Sequence, residues 1–212
     1  MTLDQYIARQ LDNMFPEGGY DADLALVAPL MEGAMQRMHP ILASVGAFSP
    51  DAFNRFNSLQ YTSLLYLVGN EEYRRNGHSV LASRLFYLNR ALNAIDLFYA
   101  VELPEVFFIS HGLGAVLGNA TYGNRLVIFQ NVTVGRVGQD RPTLGNNIVL
   151  YPGAVVTGNS RIGNNCVVSA GTVVHGMEMP DDTVAVRRGD GVQLFPRRKD
   201  FISNYLRPDA PG

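Results

Sequence analysis

Residues 144–179 read, six at a time, as LGNNIV, LYPGAV, VTGNSR, IGNNCV, VSAGTV and VHGMEM. Every block opens on an aliphatic residue: Leu144, Leu150, Val156, Ile162, Val168 and Val174. The fifth position is small or branched in Ile148, Ala154, Ser160, Cys166 and Thr172, and a glycine falls in each block. A period of six suits no α-helix, whose apolar stripe recurs every three to four residues. It suits a short strand and a sharp turn stacked on the turn below, the hexapeptide signature of a parallel β-helix. The first side chain of each block then points into the coil and the small fifth one fits a corner. Glycine and asparagine take the turn conformations that a Cβ resists. Each rung of such a stack is held mainly by its neighbours.

Carried backwards in the same phase, the chain reads VTVGRV and GQDRPT over 132–143 and LVIFQN over 126–131. The register slips by one residue near Ala120, then resumes as LFYAVE, LPEVFF, ISHGLG and AVLGN from Leu97 to Asn119. The coil is therefore expected over about 97–180.

Upstream the pattern is helical. Residues 1–15 predict a short amphipathic helix capped at Thr2. From Asp23, a second helix carries Leu24, Val27, Met31, Met35 and Met38, with Pro29 in its first turn or at a kink, and His39–Pro40 ends it. Ser49-Pro50-Asp51 reads as a helix start, serine at the N-cap and proline at the first position. The expected buried face is Phe53, Phe56, Leu59 and Leu64, and Gly69–Asn70 the end. Leu81, Leu85, Leu88, Leu92 and Ile95 form the stripe of a last helix that runs into the coil. The expected organisation is α+β: an α-helical domain at 1–96, a β-helix at 97–186, and a basic tail at 187–212. That tail is expected to be solvated and to close the bottom of the coil.

With 212 residues, 47% hydrophobic and 17% charged, and a net charge of −2, the composition is that of an ordinary globular protein. It offers no basic footprint for nucleic acid and no apolar run long enough to span a membrane. The polar N-terminus does not read as a secretory leader, so a cytoplasmic location is expected. The single cysteine, Cys166, excludes an intrachain disulfide and reads as core.

Four histidines are present, His39, His78, His111 and His175. The first two flank helix ends, and His175 points outward from a hexad. His111 lies where the coil begins, between Ser110 and the glycines Gly112 and Gly114, well placed for general-base work near neutral pH. A catalytic zinc needs about three protein ligands. The coil offers only His111 and His175, on distant rungs, so no metal is expected.

The run IDLFYAVELPEVFFISHGLGAVLGNATYGNRLVIFQNVTVG, Ile95 to Gly135, resembles the catalytic half of the serine O-acetyltransferases. These are hexapeptide-repeat, left-handed β-helix acyltransferases, and the resemblance covers about 80–186. It implies that His111 is the base that deprotonates an acceptor hydroxyl for attack on the acetyl-CoA thioester. Asp96 then falls at the family's orienting aspartate, as the carboxylate of an imidazole–carboxylate dyad. It also implies an acetyl-CoA groove between coils of a homotrimer or a dimer of trimers. Backbone amides there bind the pantetheine arm, at Ala170 and at the place of Pro152. Pro152 has no N–H, so that bond is absent or comes from Gly153. Gly135 belongs to the same cofactor set, and Arg187 and Arg188 suit the CoA phosphates. Two positions depart from the family, both on the acceptor side. Ser110 replaces an aspartate that holds the ammonium of serine, and Arg141 replaces a second histidine in a shortened loop. A sugar hydroxyl and serine therefore both stand as acceptors, and a non-catalytic scaffold is the alternative.

Overall fold

The computed structural model describes residues 1–208. Five α-helices precede the coil among these residues: α1 (Leu3–Met14), α2 (Tyr20–Val27), α3 (Met31–Ser44), α4 (Ser58–Asn76) and α5 (Val80–Asn93). Thr2 begins α1, its backbone N–H donating to the Gln5 side chain at 3.0 Å. Pro29 lies in a 3₁₀ turn, Ala28–Leu30, between α2 and α3. The expected stop at His39–Pro40 is corrected: Pro40 sits inside α3, which continues to Ser44. A proline there forfeits a backbone hydrogen bond, and burial of Met38, Ile41 and Leu42 on the same helix outweighs the loss.

Two further helix ends differ from expectation. Ser49-Pro50-Asp51 opens no helix; Asn57 caps α4, its Oδ1 accepting from the N–H groups of Leu59 (3.1 Å) and Gln60 (3.4 Å). Phe56, expected on a buried helical face, is 77% exposed in the loop before it. Gly69–Asn70 lies in the interior of α4, where Gly69 faces Leu85 and Tyr99. Buried Asn70 donates to the Tyr99 carbonyl at 2.7 Å. The turn that ends α4 is Gly77, with φ of +71°. In α5, Leu81, Leu85 and Leu88 are buried, whereas Leu92 in the last turn is 43% exposed. Arg84 of α5 and buried Asp23 of α2 form a bidentate ion pair, Nη2 to Oδ2 at 2.8 Å, which fixes the helices against each other.

The coil is a left-handed parallel β-helix with three faces. The first face holds Asp96–Leu97, Val116–Leu117, Thr133–Gly135, Val155–Thr157 and Val173–His175. The second holds Phe107–Ile109, Leu126–Ile128, Ile148–Leu150 and Val167–Val168, and ends in an antiparallel hairpin, Thr183–Arg188 and Gly191–Pro196. The third holds Thr121–Tyr122, Thr143–Leu144, Arg161–Ile162 and Glu178–Met179.

Register stacks the inward side chains in columns: Leu97, Leu117, Val134, Val156, Val174 on the first face, and Ile109, Ile128, Leu150, Val168, Ala185 on the second. All of these are buried. From Leu150 to Val174 they are the first positions of the hexads. Upstream the phase is corrected, because Ile128 and Val134, not Leu126 and Val132, occupy the columns. The shift arises at GQDRPT. This segment is part of an outward loop, closed by mutual Val137–Asp140 hydrogen bonds of 3.0 Å, and not a rung. The slip near Ala120 is present, between Leu117 and Tyr122.

The third corner is pinned by an asparagine ladder. Asn124 Oδ1 accepts from the Val106 N–H (2.8 Å), Asn146 from Asn124 (2.7 Å), Asn164 from Asn146 (2.9 Å) and Asp181 from Asn164 (2.7 Å). Each side chain thus satisfies an amide of the turn above that no strand would pair.

The outer column of the second face, Phe108, Val127, Val149 and Val167, is as buried as the inner one. Its cover is the segment after the hairpin, with Phe201, Ile202 and Tyr205 packed against it. Tyr205 meets the Phe129 ring edge-on at 5.3 Å. The segment then reaches the helical domain. Leu206 pairs with Val45, and the Arg207 N–H donates to Ser44 O at 2.7 Å. The Arg207 guanidinium donates to the carbonyls of Ala43 (2.8 Å), Val45 (2.7 Å) and Phe48 (2.7 Å). It therefore answers orphan carbonyls at the negative end of α3. The stretch expected to be a solvated tail is a hairpin and a strap.

Arg207→Ala is expected to destabilise the fold by about 1.5–3 kcal/mol, the range for hydrogen bonds to a charged group. Denaturant melts of the purified variant would show it; an unchanged midpoint would mean that the strap is held by its aromatic contacts alone.

Tyr66 gives the fold a dependence on alkaline pH. Its hydroxyl donates to Val101 O (2.7 Å) and accepts from the Leu103 N–H (3.0 Å), and burial pushes its pKa up to about 12 from 10.0. A phenol with a raised folded-state pKa contributes its stability in full below the unfolded value and loses it as pH rises toward the folded one. Melting temperature should therefore fall as pH rises from 10 to about 12. Tyr66→Phe should make that fall shallower, with buried Tyr61 and Tyr122, whose pKa values burial also raises, keeping part of it.

Candidate active site

The corner between the second and first faces is a column of four turns. Their second positions are Leu113, Gln130, Pro152 and Ala170; their third are Gly114, Asn131, Gly153 and Gly171, with φ of +71°, +56°, +70° and +64°. That conformation explains why glycine or asparagine recurs there. The turns are stitched by amides of the third positions. Asn131 N–H donates to Leu113 O (2.9 Å), Gly153 to Gln130 O (3.0 Å) and Gly171 to Pro152 O (2.9 Å). The second-position amides point elsewhere, and those of Gln130 and Ala170 have no partner among the described residues. Gly153 thus cannot supply the donor that Pro152 lacks, because its N–H is already engaged.

His111 lies at the top of this column. The corner that carries it is two residues longer than the one below, as Ile109 and Leu117 stand beside Ile128 and Val134. The extra length swings His111 outward with φ of +52°, its side chain exposed and its carbonyl accepting from the Leu113 N–H at 2.8 Å. Gly112 is obligatory here: a Cβ would meet Ile109 Cγ2 at 2.4 Å. Ser110 is buried, its N–H bonded to Ile128 O at 2.7 Å.

Asp96 starts the first face beside Val116, with its N–H on Ala115 O at 2.9 Å, so it adjoins the His111 corner. Its carboxylate is 40% exposed and lies 3.7 Å from Arg90 Nε. No hydrogen bond joins it to His111 among the described residues. The structure brings the two to one corner without closing the dyad.

The remaining expected residues divide between two edges. Gly153 and Ala170 belong to the His111 column, and Arg187 continues it, its N–H on Thr172 Oγ1 at 3.0 Å. Arg188 lies at the hairpin turn and opens onto a groove of about 520 Å³ with Phe195, Arg198, Lys199 and Phe201. Gly135 and Arg141 flank the outward loop at the opposite edge of the first face. Gln130, one rung below His111, is the residue that sequence reasoning missed. Its Oε1 is buried without a hydrogen-bond partner among the described residues. No group of three or more potential metal ligands occurs among them either, and no helix is long and apolar enough to cross a membrane.

Residues 141–176 match the bacterial transferase hexapeptide family model, six repeats. In sequence the chain is similar to serine acetyltransferases. It is 38% identical to that of Synechococcus elongatus over 88 residues, 39% of this chain and 36% of the relative. With that of Staphylococcus aureus it is 31% identical over 102 residues, 46% and 47% of the two chains. The matched region thus spans less than half the length of these curated relatives. The fold extends further: the serine acetyltransferase of Vibrio cholerae superposes with a TM-score of 0.75 over 93% of this chain and 80% of that one, at 17% identity. The Neisseria gonorrhoeae enzyme solved with serine gives 0.62 over 92% and 84%, at 18% identity.

Proposed function

We propose that the protein is an acetyl-CoA-dependent O-acetyltransferase in which His111 is the general base. The observation that carries this reading is the outward-swung His111 heading a column of turns with unpartnered amides. The serine acetyltransferase relatives support it. The imidazole takes the proton of an acceptor hydroxyl, and the oxygen attacks the thioester carbonyl carbon. The tetrahedral intermediate then collapses, the carbon–sulfur bond breaks, and the imidazolium returns its proton to the CoA thiolate. Asp96 orients the ring once ligand draws it away from Arg90; such bonds are often long before substrate binds.

The amides of Gln130 and Ala170 meet the pantetheine arm, and Arg187 and Arg188 meet the CoA phosphates. Val116 and Val173 are 41% and 51% exposed on the first face. A homotrimer would cover them and bring Gly135 and Arg141 of a neighbouring copy toward His111. Ser110 offers no carboxylate to an acceptor ammonium, which favours a sugar hydroxyl over serine, while the relatives favour serine.

Three substitutions test the reading. His111→Ala should lower CoA release by about 100-fold or more, the usual worth of a general base. Asp96→Asn should lower kcat with little change in KM for acetyl-CoA. A His111→Ala enzyme within about tenfold of wild type would remove the base assignment. The assay runs serine against monosaccharide acceptors, and release with neither would move the weight to a non-catalytic scaffold.

Ala170→Pro places proline where Pro152 already stands in the same turn, so it removes one N–H without altering the fold. Acetyl-CoA should then bind up to about tenfold more weakly by calorimetry, as expected for one hydrogen bond. Unchanged affinity would take the cofactor off this corner.

A further inference from the structure

A second cavity, remote from the column of turns, lies where the helical domain meets the coil. It encloses about 320 Å³ between α3, α4 and the segment leading into Phe107–Ile109. Its walls combine apolar surface (Pro40, Leu67, Leu103, Phe107) with two guanidinium groups, Arg37 and Arg74, and one exposed carboxylate, Glu105. The two arginines are unequally provided for. Arg74 is paired with Glu102 through two hydrogen bonds. Arg37 Nη1 is buried and has no hydrogen-bond partner among the described residues. Its nearest carboxylate oxygen, Glu71 Oε2, is 3.9 Å away, beyond hydrogen-bond reach, while Arg75 holds Oε1 of the same group at 2.8 Å. Burial and the like charge of Arg74 both hold the Arg37 pKa below its ordinary value. A buried donor left unmade costs about 1–3 kcal/mol, more when charged. The molecule thus carries a largely buried guanidinium whose Nη1 lacks a hydrogen-bond acceptor, at the wall of a space large enough to admit one.

The geometry points to a binding site for a small organic anion, its carboxylate on Arg37 and Arg74 and a short apolar body against Leu67, Leu103 and Phe107. A planar carboxylate suits the guanidinium fork, and the apolar walls favour an organic acid over a bare inorganic ion. The site is independent of the acetyl-transfer reading, since neither arginine belongs to the His111 column. It adjoins that column through the chain, because Phe107 opens the strand that ends just before Ser110.

Benzoate is the probe, titrated into the intact protein by calorimetry with inorganic phosphate as comparison. Benzoate should bind with saturable heat and phosphate more weakly. Arg37→Gln should weaken benzoate by about tenfold or more, as loss of a charge-assisted pair implies. Because Arg37→Gln touches a partly buried site, Gln36→Trp provides a second test. Gln36 is exposed at the mouth, so the larger ring blocks entry without disturbing the core. Both variants should bind acetyl-CoA as the wild type does. Benzoate binding that survives both substitutions would overturn the site, as would no binding at tens of millimolar. Phosphate binding as tightly as benzoate would overturn the organic class of the ligand.

Discussion

The inward stacking of one aliphatic side chain per hexad, directly above its equivalent one turn below, is the contact on which the molecule depends. A short strand buries too little to stand alone, so each rung is stable only because its neighbours cover it. Parallel register then fixes every corner at the same place on successive turns. The asparagine ladder, the column of left-handed turns and the His111 corner all inherit their alignment from those columns. Where the chain departs from six, the extra residues are expelled outward, as the Val137–Asp140 loop and the His111 corner both show. The insertions carry His111 and Arg141; Gly153 and Ala170 lie in the repeats.

The three faces are finished in different ways. The third face turns Thr121, Thr143, Arg161 and Glu178 to solvent, and needs no cover. The second is apolar on both sides and is covered by the chain's own strap, whose hold on the helical domain ends at Arg207. The first leaves Val116 and Val173 open. Since the His111 column and the Arg141 loop stand on opposite edges of this face, its openness and the division of the candidate site between two edges are one geometric fact. A single coil cannot bring both edges to one substrate.

Much of the candidate site was legible in the sequence, because it rests on turn chemistry. Glycines beside His111 marked a corner open to a ligand, and Pro152 and Ala170 sat at equal places in their hexads. Gln130 was not legible. Its buried, unpaired Oε1 has meaning only once the turns are stacked and Gly153 is seen to occupy the Gln130 carbonyl. Likewise, the spacing of Asp96 and His111 suggested a dyad. Which partner the carboxylate faces was decided by Arg90, one turn before the end of α5.

The sequence by itself determined the coil, its span, the slip near Ala120 and the helical domain before it. Six-residue periodicity is a local property, and local geometry suffices to read it. It misplaced the helix boundaries at Pro40, Asn57 and Gly77 and the phase of the early rungs. There tertiary burial outweighed propensity in one case, and an insertion absorbed the count in the other. Only the tertiary structure decided that the basic C-terminal stretch is a strap, that Gly153 has no amide to spare, and that Arg37 Nη1 lacks a hydrogen-bond acceptor. Each of these turns on what stands across from a residue in space, and a repeat read along the chain carries no record of that.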